Sequence, residues 1–211
     1  MLLTQIPTYM KEVLKFDLKS NGMYSMLPYL CMWVCIALSS VVSDSLISRD
    51  VMSRTNTRKL TSCAGLFLPA LCLFAISFLD CTQQLAAVAL LCGTVGLSGV
   101  AFSGYMVNHA DIAPMFAGTL FGLTNVSATV PGIIAPYVVG ALTPNKTREE
   151  WQVAFVIASG VYMFGGVFYY IFGNSTEEEW GVPETEDVIL PSISRVARKA
   201  SVFRHLSTAH L

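Results

Sequence analysis

Five long apolar stretches organise this chain and predict five membrane-spanning helices. They are Met23–Val42, Leu60–Leu79, Leu85–Val107, Phe116–Leu142 and Val153–Phe172. Each reaches about 20 residues or more, the length that one helical crossing of a bilayer needs. Backbone groups in lipid must hydrogen-bond within their own segment, so each stretch is predicted to be a helix rather than a strand.

Charged residues almost never interrupt these stretches, which supports the prediction. Between Lys59 and Lys146 the charged residues are Asp80 and Asp111, and each lies at a break between two stretches. Soluble helices of such length normally carry a polar, charged face. The pattern therefore predicts an all-α, polytopic membrane protein.

Basic residues in the connections predict which side of the membrane each connection occupies. The Ser43–Lys59 segment and the tail from Gly173 onward are rich in them: Arg49, Arg54, Arg58, Lys59, Arg195, Arg198, Lys199 and Arg204. Cytoplasmic connections are enriched in Lys and Arg. We therefore place both segments, and the Asn108–Met115 connection, in the cytoplasm, and the Thr143–Gln152 connection outside.

Three N-glycosylation sequons can be compared with this predicted orientation, because only a sequon outside the cytoplasm and the membrane is expected to be modified. The one at Asn145, Asn145-Lys146-Thr147, falls in the connection predicted to face outward, so Asn145 is a candidate glycosylation site. The other two begin at Asn125 and Asn174, in predicted membrane and cytoplasm, and are expected to stay unmodified.

Composition agrees with a membrane protein and narrows the possible partners. Hydrophobic residues make up 54% of the chain and charged residues 13%, against about 25% charged in an average soluble domain. The net charge of −1 argues against a nucleic-acid partner. The six cysteines show no metal-ligand spacing, so we expect small, mostly buried apolar residues and no metal site.

Several strings in the chain resemble a known transporter family. They are VNHADIAP at Val107–Pro114, PGIIAPYVVGALTPNKTREEWQVAF at Pro131–Phe155, and the segment Leu3–Leu30. In these strings the chain is similar to the anion–cation symporter family of major-facilitator transporters. That family includes vesicular glutamate transporters, sialin and sodium–phosphate cotransporters.

The resemblance implies that the chain is the C-terminal half of a twelve-helix major-facilitator fold. Residues 1–22 would then be the end of a truncated helix and an outer loop. Residues 23–173 would form the transporter half with about five complete spans, and residues 174–211 a flexible cytoplasmic tail. An N-terminal transporter half would be the missing partner, beside the lipid bilayer.

The function implied is transport of a phosphate-, glutamate- or sialic-acid-type anion, coupled to sodium or protons and without any other cofactor. The membrane would be the plasma membrane or an endolysosomal or vesicular one. A transport-inactive scaffold or a fragmentary gene product is the alternative, because none of the five stretches holds a charged residue near its centre. On the same ground we expect the chain alone to be inactive. An enzyme is not expected, since no catalytic set of residues converges.

Polar residues inside the apolar stretches are candidates for lining a substrate cavity. Asn125 is the foremost, because an amide deep in a membrane needs a partner or a water-filled path. An interhelical hydrogen bond is its alternative role. The other candidates are Thr124, Thr129, Tyr29 and Tyr105, the tyrosines having interfacial anchoring as an alternative.

Charged residues near the predicted cytoplasmic ends are candidates for gating. His109 is such a candidate because histidine is the residue type whose ordinary pKa lies near physiological pH, whereas Asp111 is expected to cap the helix that follows it. Asp44 and Arg58 resemble a loosely spaced form of the major-facilitator loop motif, with chance placement as the alternative. The family usually has a basic residue directly after the DIAP part of the VNHADIAP string, whereas this chain has Met115 there.

The tail combines an acidic stretch with a basic one. The basic residues from Arg195 to Arg204 either form an amphipathic helix on the inner leaflet or stay disordered. Ser201 follows Arg198 and Lys199 closely and is a candidate phosphorylation site.

Overall fold

A computed structural model describes residues 2–13, 18–79 and 83–181 of the chain. Within these ranges the chain is helical and forms no strand. The α-helices are α1 (Leu2–Glu12), α2 (Leu18–Ser48), α3 (Arg54–Ile76), α4 (Gln84–Ser98), α5 (Tyr105–Ile112), α6 (Ala117–Leu142) and α7 (Arg148–Phe172). Short 3-10 helices span Gly99–Ser103, Pro114–Phe116 and Glu179–Gly181.

Five helical segments of the described residues are long and apolar enough to cross a membrane, which confirms the predicted number of spans. They are Tyr24–Ser48, Arg54–Ile76, Gln84–Ile112, Pro114–Leu142 and Arg148–Phe172. The helices extend beyond most of the apolar stretches, because a helix continues into the polar interface where hydropathy has already fallen.

The connection between the first two spans is much shorter than predicted. α2 continues to Ser48 and α3 begins at Arg54, so Asp44 and Arg58 lie on helices rather than in a loop. Ser53 caps α3, because its hydroxyl oxygen accepts the backbone N–H three residues further on at 3.3 Å. Such a cap starts a helix by local chemistry that a hydropathy pattern does not register.

The third span is interrupted by a 3-10 segment and then extends further than predicted. The 3-10 segment Gly99–Ser103 joins α4 to α5, and α5 ends at Ile112. Helices usually end before the residue preceding a proline, and Ala113 before Pro114 has left the helical region, with φ −146° and ψ 84°. Residues 108–112 are therefore helical, and the connection predicted over 108–115 is wrong for this part.

An aromatic cluster fills the end of the bundle where α7 begins. Tyr9 of α1 lies edge-on to Trp151 and Phe155 of α7, with ring centroids 5.3 and 4.8 Å apart. Leu73 of α3 and Leu91 of α4 are buried in the same cluster. Burying a side chain of this size contributes about 1.5–3 kcal/mol, so the cluster ties α1, α3, α4 and α7 together.

The TREEWQ string at residues 147–152 makes structural contacts around this cluster. Arg148 donates from Nε to the carbonyl oxygen of Leu79, just beyond the end of α3, at 2.8 Å. Beside the string, Lys146 pairs with Glu12 of α1 at 2.8 Å. Cationic groups stabilise the carbonyl groups at a helix C-terminus. This part of the family motif therefore holds helix ends together.

The sequon at Asn145 is part of the N-terminal cap of α7. Thr147 accepts the backbone N–H of Glu150, and the Glu150 carboxylate accepts the backbone N–H of Thr147 in return, which is a capping box. The Asn145 side chain also donates to Glu150, at 2.8 Å. A glycan on Asn145 would compete with this contact; the glycosylation itself stays a prediction.

We expect Thr147→Ala to lower the free energy of unfolding by about 1 kcal/mol, since it removes the cap of α7. The measurement is the thermal midpoint of the protein made in a host without N-glycosylation. Thr147→Ser keeps the hydroxyl and should match the native midpoint. Equal midpoints for the alanine and serine variants would contradict the cap's contribution.

The connections gather at two opposite ends of the bundle. The Arg58 end holds the α2–α3 turn, the end of α5 and the chain after α7, joined by contacts of Arg58 with Asp111 and of Thr55 with Ser175. The Arg148 end holds the chain beyond α3 and the α6–α7 turn. This grouping agrees with the predicted sides. That the Arg58 end faces the cytoplasm stays a prediction.

The fourth span stands largely apart from the other helices. Every residue from 121 to 134 of α6 is exposed, and the side chains of Leu123 and Val126 are each 69% exposed. In a membrane protein such a surface faces lipid, further protein or a cavity.

Candidate functional site

A cavity of about 480 Å³ lies between α5 and α6. Its volume falls in the range of small-molecule sites. Tyr169 of α7 and Trp180 of the 3-10 helix Glu179–Gly181 complete its walls. Most of its lining surface is apolar, contributed by aromatic and aliphatic side chains, and a few polar groups stand among them. Such a lining suits a ligand with both polar and apolar parts.

Four of the residues singled out in the sequence meet in this cavity. Tyr105 and His109 enter from α5, and Thr124 and Asn125 from α6. They come together because α6 runs back alongside α5 after the turn at Pro114. Asn125 is exposed on α6 toward this space, an arrangement that favours the cavity role over a buried interhelical bond.

Two cavity candidates lie elsewhere. Thr129 donates to the carbonyl oxygen of Asn125 in its own helix at 2.8 Å and is not among the lining residues. Tyr29 lies on α2 with 42% of its surface exposed, also outside the cavity lining. The structure thus separates these two residues from the other three cavity candidates.

His109 links α5 to α6 through Thr124. Its Nδ1 lies 3.0 Å from the carbonyl oxygen of Met106, and its Nε2 lies 2.9 Å from Oγ1 of Thr124. A carbonyl only accepts, so Nδ1 carries the proton and Nε2 of the neutral ring accepts from the Thr124 hydroxyl. In a protonated ring Nε2 would donate instead, and the Thr124 hydroxyl would turn to the carbonyl of Leu120, 3.0 Å away.

This link therefore holds in both charge states of the ring. The hydroxyl reverses its direction, and α5 and α6 stay joined.

Asp111 does not cap the helix that follows it, so the capping prediction is wrong. It accepts from Nε of Arg58 on α3 at 2.7 Å, while Arg54 lies at 4.0 Å. α6 begins at a Phe116 cap that makes no side-chain hydrogen bond. Pro114 turns the chain away between the two helices, so the carboxylate reaches across to α3 instead.

Arg58 sits in a nearly closed polar site. Its side chain is 6% exposed and its Nη1 donates to the carbonyl oxygen of Ser103 at 2.7 Å. Asp44, which stands in the loop motif with Arg58, is exposed on α2 and makes no ion pair with other described residues. The two motif residues therefore do not pair with each other, and their part in gating stays a prediction.

Asn108 anchors the chain that follows α7. Its Nδ2 donates to the carbonyl oxygen of Asn174 at 2.8 Å, and its Oδ1 accepts from the Ser175 hydroxyl. Asn108 and Ser175 are buried. The contacts pair α5 with a segment more than 60 residues further along the chain.

Sequence reasoning missed Asn108, Tyr169 and Trp180 as residues of this region. Asn108 stands inside the NHADIAP string, so the motif itself carried the signal. Trp180 lies in the acidic tail, where a single large aromatic among glutamates was the available sign. Ser201 and the basic tail stretch lie outside the described residues.

A sequence model described as "Major Facilitator Superfamily" matches residues 1–136. The chain is 43% identical to a putative inorganic phosphate cotransporter of Drosophila melanogaster over 189 residues, covering 88% of this chain and 36% of that protein.

Two vertebrate proteins are similar over nearly the same region. Sialin of Homo sapiens is 41% identical over 181 residues, which are 86% of this chain and 36% of sialin. Vesicular glutamate transporter 1 of Bos taurus is 40% identical over 184 residues, 87% of this chain and 32% of that protein. The chain thus spans about a third of the length of these relatives. The resemblance indicated by the sequence strings is confirmed.

Proposed function

Because the chain belongs to the major facilitator superfamily, we propose that it forms part of a membrane transporter that moves a small anion. The names of two relatives, a phosphate cotransporter and a glutamate transporter, support an anionic substrate. Sialic acid is the third substrate that we include. The membrane would be the plasma membrane or that of an endolysosomal or vesicular compartment, with the Arg58 end in the cytoplasm.

The observation that carries this proposal is the meeting of Tyr105, His109, Thr124 and Asn125 in one cavity. The groups stand on two helical segments, Gln84–Ile112 and Pro114–Leu142, that are long and apolar enough to span a bilayer. An anion that leaves water needs hydrogen-bond donors or an opposite charge in return. Hydroxyl, amide and protonated imidazole groups provide both.

In the proposed mechanism, the Asn125 amide and the Tyr105 hydroxyl donate to the anion, while protonated His109 supplies the charge. The hydrogen bond between His109 and Thr124 persists throughout, so α5 and α6 move as a pair. The remaining part of the transporter would supply the other wall of the pathway, and a sodium or proton gradient would drive uptake. Transport, rather than catalysis, is the activity we assign.

We expect His109→Ala in the full-length protein to lower anion uptake by about tenfold or more, since it removes the positive charge that the proposal places beside the anion, and opposite charges about 4 Å apart near a protein surface attract each other by about 4 kcal/mol. Uptake of labelled phosphate, glutamate and sialic acid is measured in vesicles, with and without sodium and a pH gradient. An uncharged sugar is the negative substrate.

Ser127→Ala is the matched control for this test. Ser127 also lies on α6, donates to the Leu123 carbonyl of its own helix at 3.3 Å, and does not line the cavity. It should keep native uptake. If no anion is taken up by a correctly inserted full-length protein, the proposed function is wrong. If both variants take up anion as the native protein does, the role proposed for His109 is wrong.

A further inference from the structure

The chain stays on the bundle after α7 ends. Residues 174–181, which we call the strap, lie across the Arg58 end. Glu178 donates its backbone N–H to the carbonyl oxygen of Ile112, the last residue of α5, at 2.9 Å. Gly181 lies so close to Ala113 that a Cβ added to it would stand 2.6 Å from the Ala113 Cα.

The beginning of the strap is held by polar contacts from two spans. Asn108 of α5 binds both Asn174 and Ser175, and Oγ1 of Thr55 on α3 accepts the backbone N–H of Ser175 at 3.3 Å. The strap therefore touches two spans that do not adjoin it in sequence.

Trp180 connects the strap to the candidate site. Its ring lies 6.1 Å from that of Phe116, centroid to centroid, and it lines the cavity together with His109 and Asn125. The side chain is 56% exposed, so one side borders the cavity and the other faces outward. Ile112 ends α5 and Phe116 directly precedes α6, so Trp180, which contacts Phe116, lines the cavity near the Arg58 end.

We propose that the strap is a movable wall of the cavity and that Trp180 controls access to His109 and Asn125 from the Arg58 end. The strap is held by a few hydrogen bonds, each of small net value, by one aromatic contact and by the packing of Gly181 against Ala113. Segments held this way open locally more often than packed spanning helices. The physiological meaning of this access rests on the proposed transport function, while the access itself does not.

The test is the labelling rate of a cysteine placed in the cavity. Ala128 lines the cavity on α6, so Ala128→Cys is made in the full-length protein with its own cysteines replaced. Opened membranes are exposed to a charged thiol reagent. Trp180→Ala should raise the labelling rate about tenfold, because it removes the aromatic contact of the strap.

Three further variants and a second reporter cysteine distinguish movement of the strap from a general loosening of the helices. Gly181→Ala should also raise the rate, since its new methyl cannot fit against Ala113, whereas Trp180→Phe should stay near native. Trp33→Ala removes an exposed tryptophan on α2 and should change nothing. A second reporter, Ser127→Cys on the part of α6 outside the cavity, should label at the same rate in every variant.

Unchanged labelling of Ala128→Cys in folded Trp180→Ala and Gly181→Ala proteins would overturn the proposal. An equal rise at Ser127→Cys would overturn it as well, because the helices themselves would have loosened. Labelling that responds as expected in a protein without uptake would support the movable wall and count against the transport function alone.

Discussion

Replacing Arg58 by methionine is expected to lower the free energy of unfolding by about 3–5 kcal/mol, as when one partner of a buried ion pair is removed. The Arg58 guanidinium binds Asp111 and the carbonyl oxygen of Ser103, both at 2.7 Å. Methionine fills much of the space but leaves the Asp111 carboxylate, 13% exposed, without its close partner. The thermal midpoint in detergent should fall by about 10 °C.

Arg54→Met is the matched control, because Arg54 is 48% exposed and 4.0 Å from the same carboxylate. Pairs this exposed contribute about 0–1 kcal/mol. The double variant Arg58→Met with Asp111→Leu should recover most of the lost stability, since it leaves no unpaired charge. A double variant as unstable as the sum of its two single variants would contradict the ion-pair explanation.

Gly65→Ala is expected to lower the free energy of unfolding by about 1–3 kcal/mol through overpacking. At this position α3 meets the 3-10 segment Gly99–Ser103 backbone to backbone. A Cβ added to Gly65 would overlap the backbone nitrogen of Ala101 and stand 2.7 Å from its Cα. Backbone atoms cannot swing aside, so one of the helices has to shift. The thermal midpoint and the yield of monomeric protein measure the effect.

Gly93→Ala is the control for this prediction. The nearest atom to a Cβ at Gly93 is Sγ of Cys72 at 3.7 Å, an ordinary contact distance. Alanine also favours a helix over glycine by about 1 kcal/mol, so this variant should be as stable as the native protein or more stable. If Gly65→Ala were equally well tolerated, the close approach of α3 and the 3-10 segment would be refuted.

Gly65 and Gly93 show that a sequence pattern does not identify which glycines pack against a neighbouring helix. The sequence contains a series of glycines at Gly93, Gly96, Gly99 and Gly104 that is typical of close helix packing. The structure gives three of them that role: a Cβ would meet Cys31 at Gly96, the Met32 carbonyl at Gly99 and the Arg58 carbonyl at Gly104. Gly93 has room for a side chain. Spacing alone does not tell which glycine faces a neighbour, because that depends on how the helix is rotated.

The number of spans and the helical class followed from the sequence alone, because the lipid solvent imposes one rule on every segment. A span must be apolar over its whole length and must satisfy its backbone internally. Both conditions are local, so Phe116–Leu142 could be recognised without knowledge of any other segment. The strings that resemble the transporter family could likewise be recognised within single segments.

The partners of the polar residues were decided only by the tertiary structure. Arg58 and Asp111 are 53 residues apart, and sequence proximity favoured a helix-capping role for Asp111 instead of this ion pair. His109 meets Thr124 only because α6 folds back along α5. A polar side chain in an apolar surround binds whichever group its helix brings within about 3 Å. That distance is set by the packing and rotation of whole helices, which no local pattern encodes.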